Sequence, residues 1–581
     1  MATNAGLGGV ADPRLGKEVD VIPNREVDVE PPNYNEGQSD GHEKNVSFEE
    51  YLYFANWTRE YEKTLSTTGR GISHLTSVLG TNKEKKIVES EMSNQDQSES
   101  TTQSMGVITD YEWHQASRAA RTATWGAVFY LITTDILGPF SVPWAFAQLG
   151  YGPGIALYLV FGVLAGYAGI LLWRCFLGLD SDKYPVKNYG DIAYRIYGSW
   201  ARHVCNVLQS CQFFLNVCLL IISNGQGIAQ LSQPHSYDKP LCFVACLVIF
   251  MAAGMIIGQI RTLARFSLLA NAAVWMNVFI IIMTMAVVGS TQPNYKAVFN
   301  TSAIPKGPIV TTGGVPPGKD LRDNINGLMQ AVFSYGGATL FNELMAEMRR
   351  PMDFWKGMIC AEVFIFWCYI IFGLVVYSYQ GQFAYNPAYQ GINPYAWQTV
   401  GNVLSLLSGL IAACLYGNIG IKVLYATVGR GFLKFPPLES KTGKLIWVGF
   451  VPLYWGLAFI VGAAVPQISN LSAFVGAAMI LQFSYTFPPL LSIGFNVLKD
   501  SMTEADHFNP SNGTLVRSGF TWDRIKRGFR VQLWKNSFNV FFFLGATVTA
   551  ILGMYSSIYA MNEAYSSVGS IDSFSCKSPT G

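Results

Sequence analysis

The chain has 581 residues, of which 50% belong to the hydrophobic set and 13% are charged. A soluble globular protein carries about 25% charged residues, so an ordinary soluble domain is excluded. The formal net charge of +2 averages a polar region, residues 1–117, with an apolar remainder, and no nucleic-acid partner is expected from it.

Residues 1–117 are rich in Ser, Thr, Asn, Asp, Glu and Gln, and hydrophobic residues are few between Lys83 and Ser104. Such a composition buries too little apolar surface to offset ordering entropy, which predicts a disordered cytoplasmic tail. Its hydroxyls offer phosphorylation sites, and regulatory partners are expected here if anywhere. The aromatic patch Tyr51, Tyr53, Phe54 and Trp57 suits a short recognition helix. The amino end lacks a basic region followed by an apolar stretch, so membrane insertion is expected to begin at an internal segment.

Eleven apolar segments follow, at 122–148, 153–177, 203–231, 240–258, 265–289, 325–348, 355–380, 397–421, 446–465, 468–496 and 536–561. About 20 apolar residues are needed to cross the hydrocarbon as a helix. These runs are long and lack strict alternation, which predicts helices rather than barrel strands. The fold class is therefore an all-α polytopic membrane protein, with a transmembrane domain over 118–561 and a short extracytoplasmic tail over 562–581. Lys and Arg concentrate in alternate loops, as in Lys183, Lys187 and Arg195, and again in Arg517, Arg524 and Arg527. The opposite loops carry few, among them Lys239, Lys306 and Lys577. That bias places the amino end inside and, with an odd number of spans, the carboxyl end outside. Asn300, in the external Asn300-Thr301-Ser302 sequon, is then a glycosylation candidate.

The first segment is interrupted by Gly138-Pro139 and Pro143, and the sixth by Gly336-Gly337. Proline removes a backbone donor and obstructs the preceding turn, and glycine loosens the chain. The freed main-chain groups need partners in lipid, so a break is tolerated where it lines a cavity. Breaks five spans apart predict two inverted five-helix halves, with one extra C-terminal helix and a binding site between the breaks. Half-helix amino ends suit a carboxylate, and carboxyl ends suit an ammonium group. An amino acid zwitterion fits that pairing. The substrate-binding candidates are Ile136, Leu137, Gly138, Phe333, Tyr335, Gly336 and Gly337.

Asp135 lies just before the first break, where an ionised carboxylate is costly. It is the candidate for proton coupling or for the substrate ammonium; the bland alternative is a hydrogen bond from Thr133 or Thr134. Asn216, Glu343, Glu362 and Asn418 are candidates for the cavity wall or a gate. Glu362 is read either as a partner of Lys356 or as part of an inner gate. Glu347 is expected to pair with Arg349 or Arg350. Sodium coupling, which needs converging oxygens, is the less favoured alternative to protons. No cofactor and no metal site are expected.

Three strings resemble the amino acid/auxin permease family, also called the transmembrane amino acid transporter family. Gly138 through Phe146 is similar to its G-x-x-x-L-P-x-A-F signature, with Val142 in place of Leu; Pro139 departs from the small or hydroxyl residue many members carry. Tyr189-Gly190-Asp191-Ile192-Ala193 through Gly198 is similar to its Y-x-D-I-A…G element. Phe333-Ser334-Tyr335-Gly336-Gly337 through Glu347-Met348-Arg349-Arg350-Pro351 is similar to F-x-F-G-G…E-M-x-x-P. Gln259-Ile260-Arg261-Thr262-Leu263 resembles a fungal branch. The resemblance implies a leucine-transporter-like inverted repeat, alternating access, and amino acid substrates moved with protons or, in some members, sodium.

No nucleophile elbow, phosphate loop or paired histidines occur within the spans, so an enzyme is not expected. The competing reading is an amino acid sensor that signals through the tail. The plasma membrane is favoured over the vacuolar membrane. The cysteines are expected to pack as small apolar side chains, and a Cys242–Cys576 bridge is disfavoured.

Overall fold

The computed structural model describes residues 46–64, 121, 123–232, 241–260, 266–302, 304–430, 433–436, 438, 440–503, 506–509, 514–517, 521–566 and 573–578. Its helices begin with α1 (Phe48–Thr64), α2 (Trp125–Ile136), α3 (Val142–Leu149) and α4 (Tyr151–Leu179). Then come α5 (Tyr189–Tyr197), α6 (Ser199–Leu231), α7 (Phe243–Ile257), α8 (Phe266–Val288) and α9 (Tyr295–Ser302). The second half holds α10 (Leu321–Ser334), α11 (Phe341–Glu347), α12 (Phe354–Gln380), α13 (Tyr395–Leu424) and α14 (Lys441–Ala464). It ends with α15 (Ile468–Val475), α16 (Phe487–Asp500), α17 (Thr521–Val531) and α18 (Leu533–Ser566). A small antiparallel hairpin, β1 (His507–Asn509) and β2 (Thr514–Val516), precedes α17.

Among the described residues, eight helical stretches are long and apolar enough to cross a membrane: 151–179, 199–231, 271–288, 351–383, 395–429, 441–464, 468–500 and 533–566. Each overlaps one expected segment. The fourth expected segment is the shorter apolar α7. The first is the broken pair α2–α3, and the sixth is the broken pair α10–α11. Helix starts follow the local chemistry. Thr124 caps α2 by accepting from the Ala127 amide at 3.3 Å, Asn188 caps α5 through the Asp191 amide at 2.9 Å, and Asp320 and Asp323 form a capping box at α10.

Among the described residues the buried side chains form two large apolar cores and a small cluster of Ala297, Val298, Phe383 and Tyr385. One draws Ile132, Phe146, Tyr158, Met329, Phe341, Phe372 and Tyr485 from the broken helices, α4, α12 and the 468–500 stretch. The other draws Val217, Phe243, Cys414, Trp447 and Trp455 from α6, α7, α13 and α14. The site described below lies where these two bodies meet.

The helix α1 departs from the disorder expected of residues 1–117; residues 65–117 lie outside the described set. It docks on the face that carries the start of α2. Arg59 and Arg121 both bind the buried Asp180, with nitrogen–oxygen distances of 2.9 Å. Glu49 accepts from Arg517 at 2.7 Å and Arg524 at 3.3 Å. The Tyr184 hydroxyl donates to Glu50 at 2.6 Å, and the Arg195 guanidinium lies over the Tyr51 ring. Burial works against the Asp180 charge, but Arg121 and then Arg59 outweigh it and hold the carboxyl below its ordinary range. Glu49 behaves alike: burial opposes its charge, and the Arg517 hydrogen bond leads the groups that overcome it.

Cys242 and Cys576 are joined by a disulfide, contrary to the expectation of packing alone. The bridge holds residues 573–578 at the start of α7, where the Phe243 amide also donates to the Cys576 carbonyl at 3.1 Å. Ser573 and Tyr565 donate to the Ala464 carbonyl at the end of α14, each at 2.6 Å. No sequence spacing announced this pair, because the two cysteines are 334 residues apart.

Candidate functional site

The first interruption is a true gap between helices. Helix α2 stops at Ile136, Leu137 leaves helical geometry with ψ 83°, and a single 3₁₀ turn, Pro139–Ser141, leads into α3. Proline at 139 has no amide to continue the ladder, which ends the helix there. The carbonyls released by the gap are taken by neighbouring helices. The Tyr369 hydroxyl of α12 bonds to the Ile136 carbonyl, and Asn277 of α8 donates to the Leu137 carbonyl at 3.1 Å.

The second interruption is a tightening rather than a gap. Helix α10 ends at Ser334, and Gly336–Leu340 continues as 3₁₀ helix before α11. The same Tyr369 hydroxyl lies 2.8 Å from the Ser334 carbonyl, so one side chain addresses both breaks. Glycine is required on this stretch by close approach. A Cβ on Gly336 would stand 2.9 Å from Ile480, and one on Gly337 would stand 2.5 Å from Ile136. Two π-helical turns, Gly476–Ile480 and Gln482–Thr486, lie between α15 and α16 and carry Ile480 to that contact.

A cavity of about 240 Å³ lies between the breaks. Asp135, Ile136, Leu137, Gly138, Phe333, Gly336 and Asn216 line it, as the sequence suggested. Tyr335 and Gly337 do not. Tyr335 turns away into a buried aromatic group with Tyr158 and Tyr369, at ring separations of 6.1 and 5.4 Å. Glu343, Glu362 and Asn418 also lie off the cavity wall. Glu343 accepts from Gln209 at 2.8 Å, and Asn418 donates to the Ile260 carbonyl at 2.7 Å. Glu362 is buried with Oε2 unpartnered, while Lys356 pairs with Asp353 at 2.7 Å instead. Arg350 likewise turns to Asp353, at 3.7 Å, and not to Glu347. Asn300 is exposed on α9.

Asp135 has a partner that sequence spacing did not reveal. Thr133 and Thr134 bond back to their own helix, to the Phe129 and Tyr130 carbonyls. The Asp135 carboxylate instead accepts from the Tyr416 hydroxyl of α13 at 2.6 Å. Among the described lining residues Asp135 is the one Asp, Glu, Lys, Arg or His. The rest of the polar lining is amide and hydroxyl: Asn224, Gln330, Ser405, Ser408 and Tyr389 are examples.

Over residues 121–505 the chain matches the family model described as transmembrane amino acid transporter protein. The chain belongs to that family. It is 22% identical to the N amino acid transport system protein of Neurospora crassa, over 63% of this chain and 74% of that protein. It is 23% identical to a transmembrane transporter of Fusarium pseudograminearum, over 79% of this chain and 88% of that one. A lysine histidine transporter-like 4 protein of Arabidopsis thaliana is 21% identical, over 64% and 81%. The fungal matches accord with the branch the sequence resembled.

In this transporter main-chain hydrogen bonds tie together the elements that flank the site at both faces. At the α1 face, Ala123 and Met348 form a parallel bridge, with Ala123 N donating to Glu347 O at 3.0 Å and Arg349 N to Ala123 O at 2.9 Å. The start of the first broken helix is thus tied to the end of the second, and Arg121 beside it is tied to Asp180. At the opposite face, Tyr151 N donates to Thr312 O at 3.0 Å and Gly152 N to Gly313 O at 2.8 Å, which lays the loop before α10 over the start of α4.

Proposed function

We propose that this chain is a secondary active transporter that moves neutral amino acids by alternating access, coupled to protons. The observation that carries the reading is the cavity held between two helix breaks, with Asp135 as its charged wall residue among the described ones. The amino end of α3 offers main-chain donors and a positive dipole end to the substrate carboxylate. The carboxyl ends of α2 and α10, with Asp135, offer acceptors to the ammonium group. One wall carboxylate balances one ammonium group or one proton, and no second counter-charge remains for a charged substrate side chain; hence neutral substrates. Tyr369 and Asn277 hold the break open by donating to carbonyls that would otherwise need water or another N–H or O–H donor.

In this reading α2–α3, α10–α11, α7 and the eight long stretches make eleven crossings, arranged as two inverted halves of five with α18 added. The amino end faces the cytoplasm. The Cys242–Cys576 bridge supports that orientation, because disulfides persist in oxidising compartments and this one lies on the face opposite α1. The plasma membrane is the proposed location. Opening toward the cytoplasm requires the Ala123–Met348 bridge and the Arg121–Asp180 pair to part. Helix α1 shares Asp180 through Arg59, so it acts as a strap on that movement and gives the tail a regulatory role.

The test is uptake by purified protein in proteoliposomes, across a panel of labelled amino acids with and without a pH gradient. Accumulation of neutral amino acids that collapses with the gradient is expected. Binding without net flux under any gradient would instead establish a sensor.

A further inference from the structure

Five amide side chains line the cavity: Asn216, Asn224, Asn277, Gln330 and Asn386. Four donate to the protein itself. Asn224 reaches the Leu220 carbonyl at 2.8 Å, Asn277 the Leu137 carbonyl at 3.1 Å, Gln330 the Ser469 carbonyl at 2.9 Å, and Asn386 the Ser469 hydroxyl at 3.2 Å. Asn216 is the exception. It is 9% exposed, and its Oδ1 is buried without any hydrogen-bond partner. An orphaned buried amide is rare and calls for a reason.

Its neighbours on α6 show how the position is held. One turn earlier Gln212 accepts from Thr339 at 3.0 Å, which fixes the helix against the second break. Phe213 stacks on Tyr416, the residue that holds Asp135, with ring centroids 6.0 Å apart. Asn216 therefore sits in the cavity wall on a helix whose rotation is set from both sides, and its amide oxygen is buried there without a partner. No hydrogen bond joins it to the main-chain ends or to Asp135, which suit the charged groups of a zwitterion. What remains for Asn216 is the substrate's side chain.

We propose that Asn216 is a specificity-determining residue that pairs with the substrate side chain, and that the preferred substrates are neutral amino acids bearing an amide or hydroxyl there. The inference rests on the transport reading above and goes beyond it. A primary amide both donates and accepts, so a substrate amide completes both halves of Asn216. An apolar side chain of the same shape leaves Oδ1 buried and unpaired, which is the larger energetic effect. Sites built to hydrogen-bond a substrate group reject the analogue that lacks it.

The experiment compares near-isosteric pairs in proteoliposomes made with the full chain: glutamine against methionine, and asparagine against leucine. Wild type is expected to favour the amide member of each pair by about tenfold or more. Asn216→Leu should bring that ratio to near one or invert it, while methionine and leucine uptake survives. Asn216→Ser, which keeps a smaller donor and acceptor, should retain part of the preference. Each ratio is taken within one variant, so it does not depend on how much protein folds. Wild-type uptake without the preference overturns this inference alone. So does an Asn216→Leu protein that loses all four substrates equally, or one whose ratio is unchanged. Wild type that moves none of the four under either gradient overturns the transport reading, and this one with it.

Discussion

The Tyr416 hydroxyl donates to Asp135 Oδ1 at 2.6 Å, joining α13 to the last turn of α2 just before that helix stops. The carboxylate at the break is therefore anchored to the core formed by α6, α7, α13 and α14, while its own helix belongs to the other core. A change at Asp135 is felt by both bodies at once.

Asp135→Asn is expected to abolish proton-driven accumulation while leaving exchange of substrate across the membrane measurable. Tyr416→Phe removes one hydrogen bond to a charged group, about 1.5–3 kcal/mol, and should lower uptake roughly tenfold with the fold intact. Accumulation against counterflow in the same vesicles separates the two. Unchanged gradient dependence in Asp135→Asn would remove the carboxylate from coupling.

Gly336→Leu and Gly337→Leu should each eliminate substrate binding in correctly inserted protein. The contacts explain why even alanine is crowded: Ile480 lies 2.9 Å from the first added carbon at Gly336, and Asp135 Oδ2 lies 3.2 Å from that at Gly337. Scintillation proximity binding on purified protein reads this directly, and normal affinity in either leucine variant counts against the cavity.

Tyr369→Phe removes the hydroxyl that reaches the Ile136 and Ser334 carbonyls; Ile136 keeps the Gly138 amide at 2.7 Å, so Ser334 loses more. Losing a donor to a buried acceptor costs about 1–3 kcal/mol. The expected result is a lower melting temperature in detergent, partly restored by saturating substrate because the ligand supplies donors to the same region. A substrate shift no larger than that of wild type would break the link between Tyr369 and the site.

The α1 strap has a pH signature. Asp180 and Glu49 are held below their ordinary values in the folded protein. Groups with lowered folded values contribute stability that is complete above the unfolded value and is lost as pH falls through the folded one. Protection of residues 48–64 from hydrogen exchange should therefore be flat from pH 7 down to about pH 4.5 and fail only below about pH 4. Asp180→Ala, which strands Arg121 and leaves Arg59 with Glu62 alone, should remove protection at every pH, since breaking a buried pair costs about 3–5 kcal/mol. Release of α1 near pH 6 would assign the docking to other groups.

A tag placed after Gly581 should be reachable from outside intact cells, and a membrane-impermeant reductant should open the Cys242–Cys576 bridge there. Access to an amino-terminal tag instead would invert the orientation.

The long stretches were legible because bilayer thickness sets a minimum run of apolar residues, and the breaks were legible because Pro139, Gly336 and Gly337 leave a chemical mark in one dimension. The direction of a side chain at a break leaves no such mark. Tyr335 follows a tightened backbone into the aromatic cluster, whereas Phe333, two residues earlier, faces the cavity. Partners brought together by tertiary packing were also hidden: Tyr416 is 281 residues from Asp135, and Tyr369 is 233 from Ile136. Nothing periodic links such pairs. The aromatic patch at Tyr51 marked helix α1, but its docking was hidden: ion pairs with Asp180, Arg517 and Arg524 join the burial of Phe48 and Tyr51 in holding it.

The Ala123–Met348 bridge is built wholly from main-chain amides and carbonyls. Side-chain drift at 123, 347 or 349 leaves it intact, since every residue but one type carries the same donor. Proline is that type, and at 123 or 349 it would delete the very N–H that latches the two broken helices. The joint that ties the two broken helices together is therefore indifferent to amino-acid identity and vulnerable to a single imino acid.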